Sequence, residues 1–204
     1  MEAQPQVIVL DEISFKLPPK LPIGSNTFFF TTCATKTVNE WQDALEAIGI
    51  KTTKDKVITS VTLTVAYMKT KHPEVKKAIT FCSELLKKEL ELSGIECVSS
   101  HADCESYDTM MYNLKVDPTV GAVIIGHDSL WHYNHSVVSC IYLTAGCAFI
   151  ATDRNRNRRL SNGRTIPSTA AFTDSVKLGL SETGGGVSKR EAEVCEDYLI
   201  EYLR

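Results

Sequence analysis

Long hydrophobic runs are missing from this sequence. Its most apolar stretches, such as "GAVIIG" and "VVSCIYL", are far shorter than the about 20 residues a membrane-spanning helix needs. The opening residues, "MEAQPQVIVLDE", carry no basic n-region, no long apolar core and no Arg/Ser-rich amphipathic stretch. A cytoplasmic protein without a membrane span is therefore expected, with an organelle left open. An excess of one charge is also absent. Lys and Arg total 22, Asp and Glu total 25, and the net charge is −3. That balance excludes a generic nucleic-acid or membrane-surface binder. CxxC pairs are lacking too. The seven cysteines are odd in number and lie mostly in apolar runs, so they read as reduced core thiols rather than a disulfide framework or a zinc site. Neither an internal repeat nor a low-complexity tract is present.

What remains is an ordinary globular composition, 43% hydrophobic and 23% charged over 204 residues. That length suits one sizeable domain or two small ones. Apolar runs at 7–10, 27–30, "AITFC", "IECV", "VGAVIIG" and "CAFIAT" read as strands. Between them, "TVNEWQDALEAIG" has a Thr37/Glu40 capping box and a stripe of Trp41, Ala44, Leu45 and Ile48. "SELLKKELELSG", "SVVSCIYLTAG" and "STAAFTDSVKLG" also read as helices. "ITSVTLTVAYMKTKHP" is ambiguous: its β-branched alternation favours a strand, its length permits a helix. The last segment, "SKREAEVCEDYLIEYLR", offers a Ser188/Glu191 capping box and a stripe through Cys195, Tyr198, Leu199 and Tyr202. Strand and helix alternate nearly throughout, which predicts an α/β protein with a mostly parallel sheet.

Ligands of open parallel sheets bind beyond the carboxyl ends of the strands. Asp11 and Thr31 stand there on two successive strands. A carboxylate in that place can be a nucleophile or a Mg²⁺ ligand, and a hydroxyl can hold a phosphate oxygen. Equally, both can simply start loops. Gly184–Gly186 before Ser188 and Lys189 reads either as an anion site at a helix start or as a flexible linker, and it is no P-loop. "DRNRNRR" reads as a phosphate or acidic-partner contact, or as a solvated turn. His127, His132 and His135 match no helical zinc pair.

Together these segments resemble the haloacid dehalogenase superfamily, in its C2-capped branch of p-nitrophenylphosphatases and phosphoglycolate phosphatases. "FFFTTCATKT" before a helix ending "AIGI" resembles the family's second motif. Thr31 takes the phosphate-binding threonine position and Lys36 the lysine position, while Thr32 and Cys33 replace two asparagines. "VIIGHDSLWHY" resembles a cap motif through Gly126, Asp128 and Tyr133. "GCAFIATDRNRNRRLSNGRTIPSTAAF" resembles another, with Asp153 in place of an asparagine and Ser168 and Ala170 in place of glycines. Lys189 lies near the third-motif lysine. The resemblance implies a Rossmann-like parallel core at 1–58 and 164–204, incomplete, with an α/β cap inserted at 59–163. It implies Asp11, Thr31 and Lys189 as the catalytic positions. Thr32, Lys36, Asp128, Asp153 and Arg154 fall at substrate or phosphate contacts, and Asp11 at a weak Mg²⁺ site, should the chain be active.

The first motif departs from the family's D-x-D-G. It reads Asp11-Glu12-Ile13-Ser14, so the proton-donor position is Ile13, which moves no proton. Glu12 points to the opposite face if the strand continues. Loss of general acid–base catalysis costs about 10²–10⁴ in rate. The acidic fourth motif is not found before Arg204. The link "EISFKLPPKLPIGSN" contains Pro18, Pro19 and Pro22, which forbid a regular crossover helix. A catalytically impaired relative with a binding or assembly role is expected, needing no cofactor. The alternative is a weak or specialised Mg²⁺-dependent phosphomonoesterase. An exposed apolar first strand and an uncovered sheet face predict a homo-oligomer or a larger assembly. A small phosphorylated metabolite is the expected ligand.

Overall fold

The computed structural model describes residues 5–10, 23–24, 26–99, 112–160, 162–181 and 191–204. Two parallel sheets organise them. The first holds β1 (Gln6–Val9), β2 (Thr27–Thr31) and β3 (Val57–Thr59) in that order. β2 pairs in parallel with both neighbours, so all three strands end on the same side. Helix α1 (Val38–Ala47) covers one face. Thr37 caps it through the full box with Glu40, and its Trp41 and Leu45 meet Ile8, Phe29 and Val57. Strand alternation sends Phe30 and Ile58 to the opposite face. There they pack against Leu63 and Leu199. Both faces of this small sheet therefore carry packed side chains, where one was expected bare.

The segment that reads ambiguously in sequence divides. β3 ends at Thr59, and α2 (Ser60–Lys71) begins at once, with Thr59 and Thr62 forming a capping box. Its β-branched residues are tolerated because the helix is buried on more than one side. Leu63 faces the first sheet, whereas Val61 and Met68 enter the core of the second.

The second sheet contains β4 (Lys77–Phe81), β5 (Glu96–Val98), β6 (Ala122–Ile125), β7 (Ala148–Ala151) and β10 (Glu193–Val194). Its order is β10-β7-β6-β4-β5, all parallel. Helix α3 (Glu84–Leu92) buries Leu86 and Leu90 with Met68 of α2 against Ala78, Ala122, Ile124 and Ile150. Full burial of each such leucine contributes about 1.5–3 kcal/mol. On the other face, α4 (Tyr133–Thr144) and α5 (Thr169–Ser181) bring Val138, Leu143, Val176 and Leu180 onto Ile79, Val123 and Phe149. Two short antiparallel strands, β8 (Asn157–Arg159) and β9 (Thr165–Pro167), form a hairpin between β7 and α5. Sequence reads that stretch as an undivided basic loop.

The last segment is not one helix. Glu193–Val194 pairs with β7, a 3₁₀ turn follows at Cys195–Tyr198, and α6 (Leu199–Tyr202) is a single turn. Glu193 is held by the Tyr67 hydroxyl at 2.6 Å and by His72 Nε2 at 2.7 Å, which favours extended pairing over a helix. Ser188 lies outside the described residues. The contacts of the 164–204 stretch are thus divided: α5 and β10 pack with the second sheet, and Leu199 packs with the first.

Candidate functional site

The carboxyl end of β2 is built by hydrogen bonds within a tight turn. Thr31 is fully buried, and its Oγ1 accepts from the Cys33 amide at 3.1 Å. Thr32 follows, half-buried, and its Oγ1 accepts from Asn155 Nδ2 at 3.1 Å. Ser60 Oγ donates to the Thr32 carbonyl at 3.1 Å, anchoring the turn to the start of α2. Asn155 belongs to the loop after β7. The two sheets are thereby tied together at their carboxyl edges.

Asp153 organises that loop from beneath. It is 4% exposed, and its Oδ2 accepts from the hydroxyls of Thr152 at 2.9 Å and Thr169 at 2.8 Å. Its Oδ1 accepts from the Asn155 amide at 3.0 Å. Burial pushes this carboxyl above the usual aspartate range, and the hydrogen bonds from Thr169, Asn155 and Thr152 only partly offset it. A carboxylate with these partners positions a loop. Gly126 shows how closely the strand ends approach here: a Cβ at this residue would lie 2.9 Å from Thr152 Cγ2 and 3.1 Å from Cys82 Cβ.

Between the edges lies a cavity of about 270 Å³, lined by Leu10 and Thr32 on the first sheet's side. Asp153, Asn155, Arg158, Arg159 and Ser168 line it from the β7 loop and the hairpin. Its wall carries two guanidinium-bearing residues, hydroxyls and amides suited to an oxyanion, and also the carboxyl-bearing Asp153 and Glu196.

The sequence-derived positions are distributed unevenly around it. Asp11, Ile13 and Lys189 lie outside the described residues, although Leu10, next to Asp11, is on the cavity wall. Thr32 and Asp153 line the cavity. Lys36 sits elsewhere, its Nζ 5.2 Å from the Trp41 ring centre, beside a separate hollow with Thr37 and Thr59. Arg154 ion-pairs with Asp197 and lies 3.9 Å from Glu196 Oε2, outside the cavity lining. Arg156 faces Asp174 at 3.7 Å. Asp128 opens on a neighbouring crevice with His127, His132 and His135. The run "DRNRNRR", read from sequence as a phosphate contact or a solvated turn, gives Asn155, Arg158 and Arg159 to the wall; Ser168, brought in by the hairpin, was not singled out as a contact, because the hairpin carries no strand signal. Among the described residues, no group of three His, Cys, Asp or Glu side chains is placed to hold a metal ion. A magnesium site is therefore not assembled from them, and no step is derived through one. Nor is any helix among them long and apolar enough to cross a membrane.

Comparison with known proteins agrees with this architecture. Residues 23–96 match the family model of haloacid dehalogenase-like hydrolases. No curated relative matches the sequence. Among solved structures, a hypothetical protein of Pyrococcus horikoshii is similar at a TM-score of 0.67 and 20% identity, over 87% of this chain and 63% of that one. The p-nitrophenyl phosphatase of Archaeoglobus fulgidus follows at 0.64 and 17%, over 87% and 61%. A glycerol phosphate phosphatase of Mycobacterium tuberculosis, solved with calcium, gives 0.63 and 14%, over 88% and 49%. That phosphatase has also been solved with magnesium. The chain thus spans less than two thirds of the length of these three structures. Its fold is that of the haloacid dehalogenase-like phosphatases, a Rossmann-like parallel sheet with an α/β cap.

Proposed function

We propose that this haloacid dehalogenase-like chain binds a small phosphorylated metabolite between its two sheets and hydrolyses it poorly or not at all. The observation that supports binding is the cavity of about 270 Å³ beyond β1 and β2, with Thr32, Asn155, Arg158, Arg159 and Ser168 on its wall. A phosphoryl group there meets positive charge and hydroxyl donors without needing a nucleophile. The impairment rests on sequence: Ile13 occupies the position where the family has its proton donor. Without that acid, the leaving alkoxide departs unprotonated, which costs about 10²–10⁴ in rate.

An assembly role is part of the same proposal. Within the described residues β1 pairs on one side only, and Val9 on it is 69% exposed. A second copy or another subunit covering this strand would satisfy its free backbone groups.

The test combines binding and turnover. Inorganic phosphate should raise the melting temperature, because a ligand bound only by the native state stabilises it by mass action. Arg159→Ala should reduce that rise. Hydrolysis of p-nitrophenyl phosphate with Mg²⁺ should stay at background, and light scattering should report a mass above the monomer. Robust turnover that Asp11→Asn abolishes overturns the reading in favour of a working phosphomonoesterase. One observation supports that second reading: the Thr31 hydroxyl, which the resemblance assigns to holding phosphate, accepts from the Cys33 amide at the end of β2.

A further inference from the structure

The wall of the hairpin cavity already carries an acceptor of its own. Glu196 lines it together with Arg158 and Arg159. It comes from the 3₁₀ turn at Cys195–Tyr198, and its Oε2 accepts from the Arg154 amide at 3.2 Å. The next residue, Asp197, ion-pairs with the Arg154 side chain. Backbone amides and guanidinium groups are the donors an oxyanion seeks. Here a carboxylate of the chain itself takes one of them at the cavity's edge. Asp153 also lines the cavity, but its Oδ2 is turned to the hydroxyls of Thr152 and Thr169.

The turn that carries Glu196 is braced on both sides by the second half of α2 and its cap. Before the turn, Glu193 Oε2 accepts from the Tyr67 hydroxyl at 2.6 Å and meets His72 Nε2 at 2.7 Å. Burial opposes the charge on Glu193, yet these two bonds hold its carboxyl below the usual glutamate range, so it stays an acceptor at neutral pH. At the end of the turn, Tyr198 donates to Thr70 Oγ1 at 3.2 Å and stands edge-on to the Tyr67 ring at 5.5 Å. Glu201 then pairs with Lys71 at 2.8 Å. Cys195 is buried in the core of the second sheet and Leu199 in that of the first.

Between these fixed points the turn is the weaker piece. It is a single turn of 3₁₀ helix, a form whose hydrogen bonds are less well aligned than those of an α-helix. The Glu196 side chain is 27% exposed, so it has room to leave the wall. A phosphoryl group entering the cavity brings negative charge beside a carboxylate, and like charges at close range exclude one another. The anion and Glu196 therefore compete for the same positive wall.

We infer that Glu196 is a built-in competitor of the anionic ligand, and that the braced turn is an autoinhibitory contact holding it against the cavity until an anion displaces it. This rests on the reading of the hairpin cavity as an anion site and adds its regulation. The coupling is reciprocal. An anion that displaces Glu196 loosens the turn, and loss of a brace favours the anion.

Isothermal titration of the full chain with orthophosphate tests this, together with hydrogen exchange at the turn. Glu196→Gln should bind orthophosphate at least fivefold more tightly than the parent. Tyr67→Phe removes a brace outside the cavity lining and should tighten binding at least twofold. Glu46→Gln makes the same change of charge on the exposed side of α1 and should stay within twofold of the parent. Saturating orthophosphate should speed exchange of the turn's amides at least threefold in the parent, the opposite of the protection a bound ligand ordinarily gives. The inference is overturned, with the cavity still an anion site, by any of three results: Glu196→Gln binding no more tightly than Glu46→Gln, Tyr67→Phe binding as the parent does, or orthophosphate slowing exchange at the turn. Orthophosphate binding to none of these proteins overturns the cavity reading as well. The exchange measurement needs only the parent, so it decides even where a variant fails to fold.

Discussion

Asn155 Nδ2 donates to Thr32 Oγ1 across 3.1 Å, joining residues 123 positions apart. This bond ties the loop after β7 to the end of β2 and closes one wall of the hairpin cavity. A double-mutant cycle of Thr32→Val and Asn155→Ala should give a coupling of about 0.5–1.5 kcal/mol in urea melts. Additive effects of the two substitutions would show that the bond does not form in solution.

Asp153 should titrate above the ordinary aspartate range, since burial outweighs its hydrogen bonds from Thr169, Asn155 and Thr152. The sign follows from linkage. A carboxyl whose folded value is raised binds more protons in the native state. Its contribution is therefore most favourable below the unfolded value, about 3.9, and is lost as pH rises through the folded value. Carbon-detected titration of the Asp153 carboxyl reads this directly. A midpoint at or below that of an exposed aspartate contradicts it.

Gly126→Ala should destabilise the protein by about 1–3 kcal/mol, because the new methyl meets Thr152 Cγ2 at 2.9 Å and Cys82 Cβ at 3.1 Å. Adding Thr152→Ser removes that Cγ2 and should restore part of the loss. Equal melting temperatures for Gly126→Ala and the parent would mean the strand ends are not packed this closely.

Cys195 is fully buried, and burial pushes its thiol up to about 12. Burial also pushes the Cys82 thiol far up. At pH 8 the Cys195 thiolate fraction is about one in 10⁴, so native protein should not label there within minutes, whereas denatured protein should label at once. Mass spectrometry after brief alkylation locates the modified residues. Early labelling at Cys195 would show that the β10 segment opens readily.

The parallel strands and most helices were legible because their signals are local. The Thr37/Glu40 box forms as its spacing predicts, and α3 begins at Ser83 and buries Leu86 and Leu90 on one stripe. α2 was ambiguous for an equally physical reason. Its apolar residues serve two cores, so no single periodicity marks it. The final segment misled because its stripe of Cys195, Tyr198, Leu199 and Tyr202 fits a helix, while pairing of Glu193–Val194 with β7 is a long-range choice.

For the site, the sequence by itself determined which chemical groups exist: Asp11 without a following acid, Thr31 and Thr32 after an apolar strand, and a run of arginines after β7. Resemblance supplied their order. Only the tertiary structure decided which of them meet. It turned Arg154 to Asp197 and Glu196, set Arg158 and Arg159 on the cavity wall, and buried Asp153 as a loop anchor. It also set His135 against Asp128, with Nδ1 3.2 Å from Oδ2, at the edge of a crevice. These outcomes depend on which strand ends lie side by side. Strand order is set by packing between residues far apart in the chain, and neighbouring residues carry no record of it.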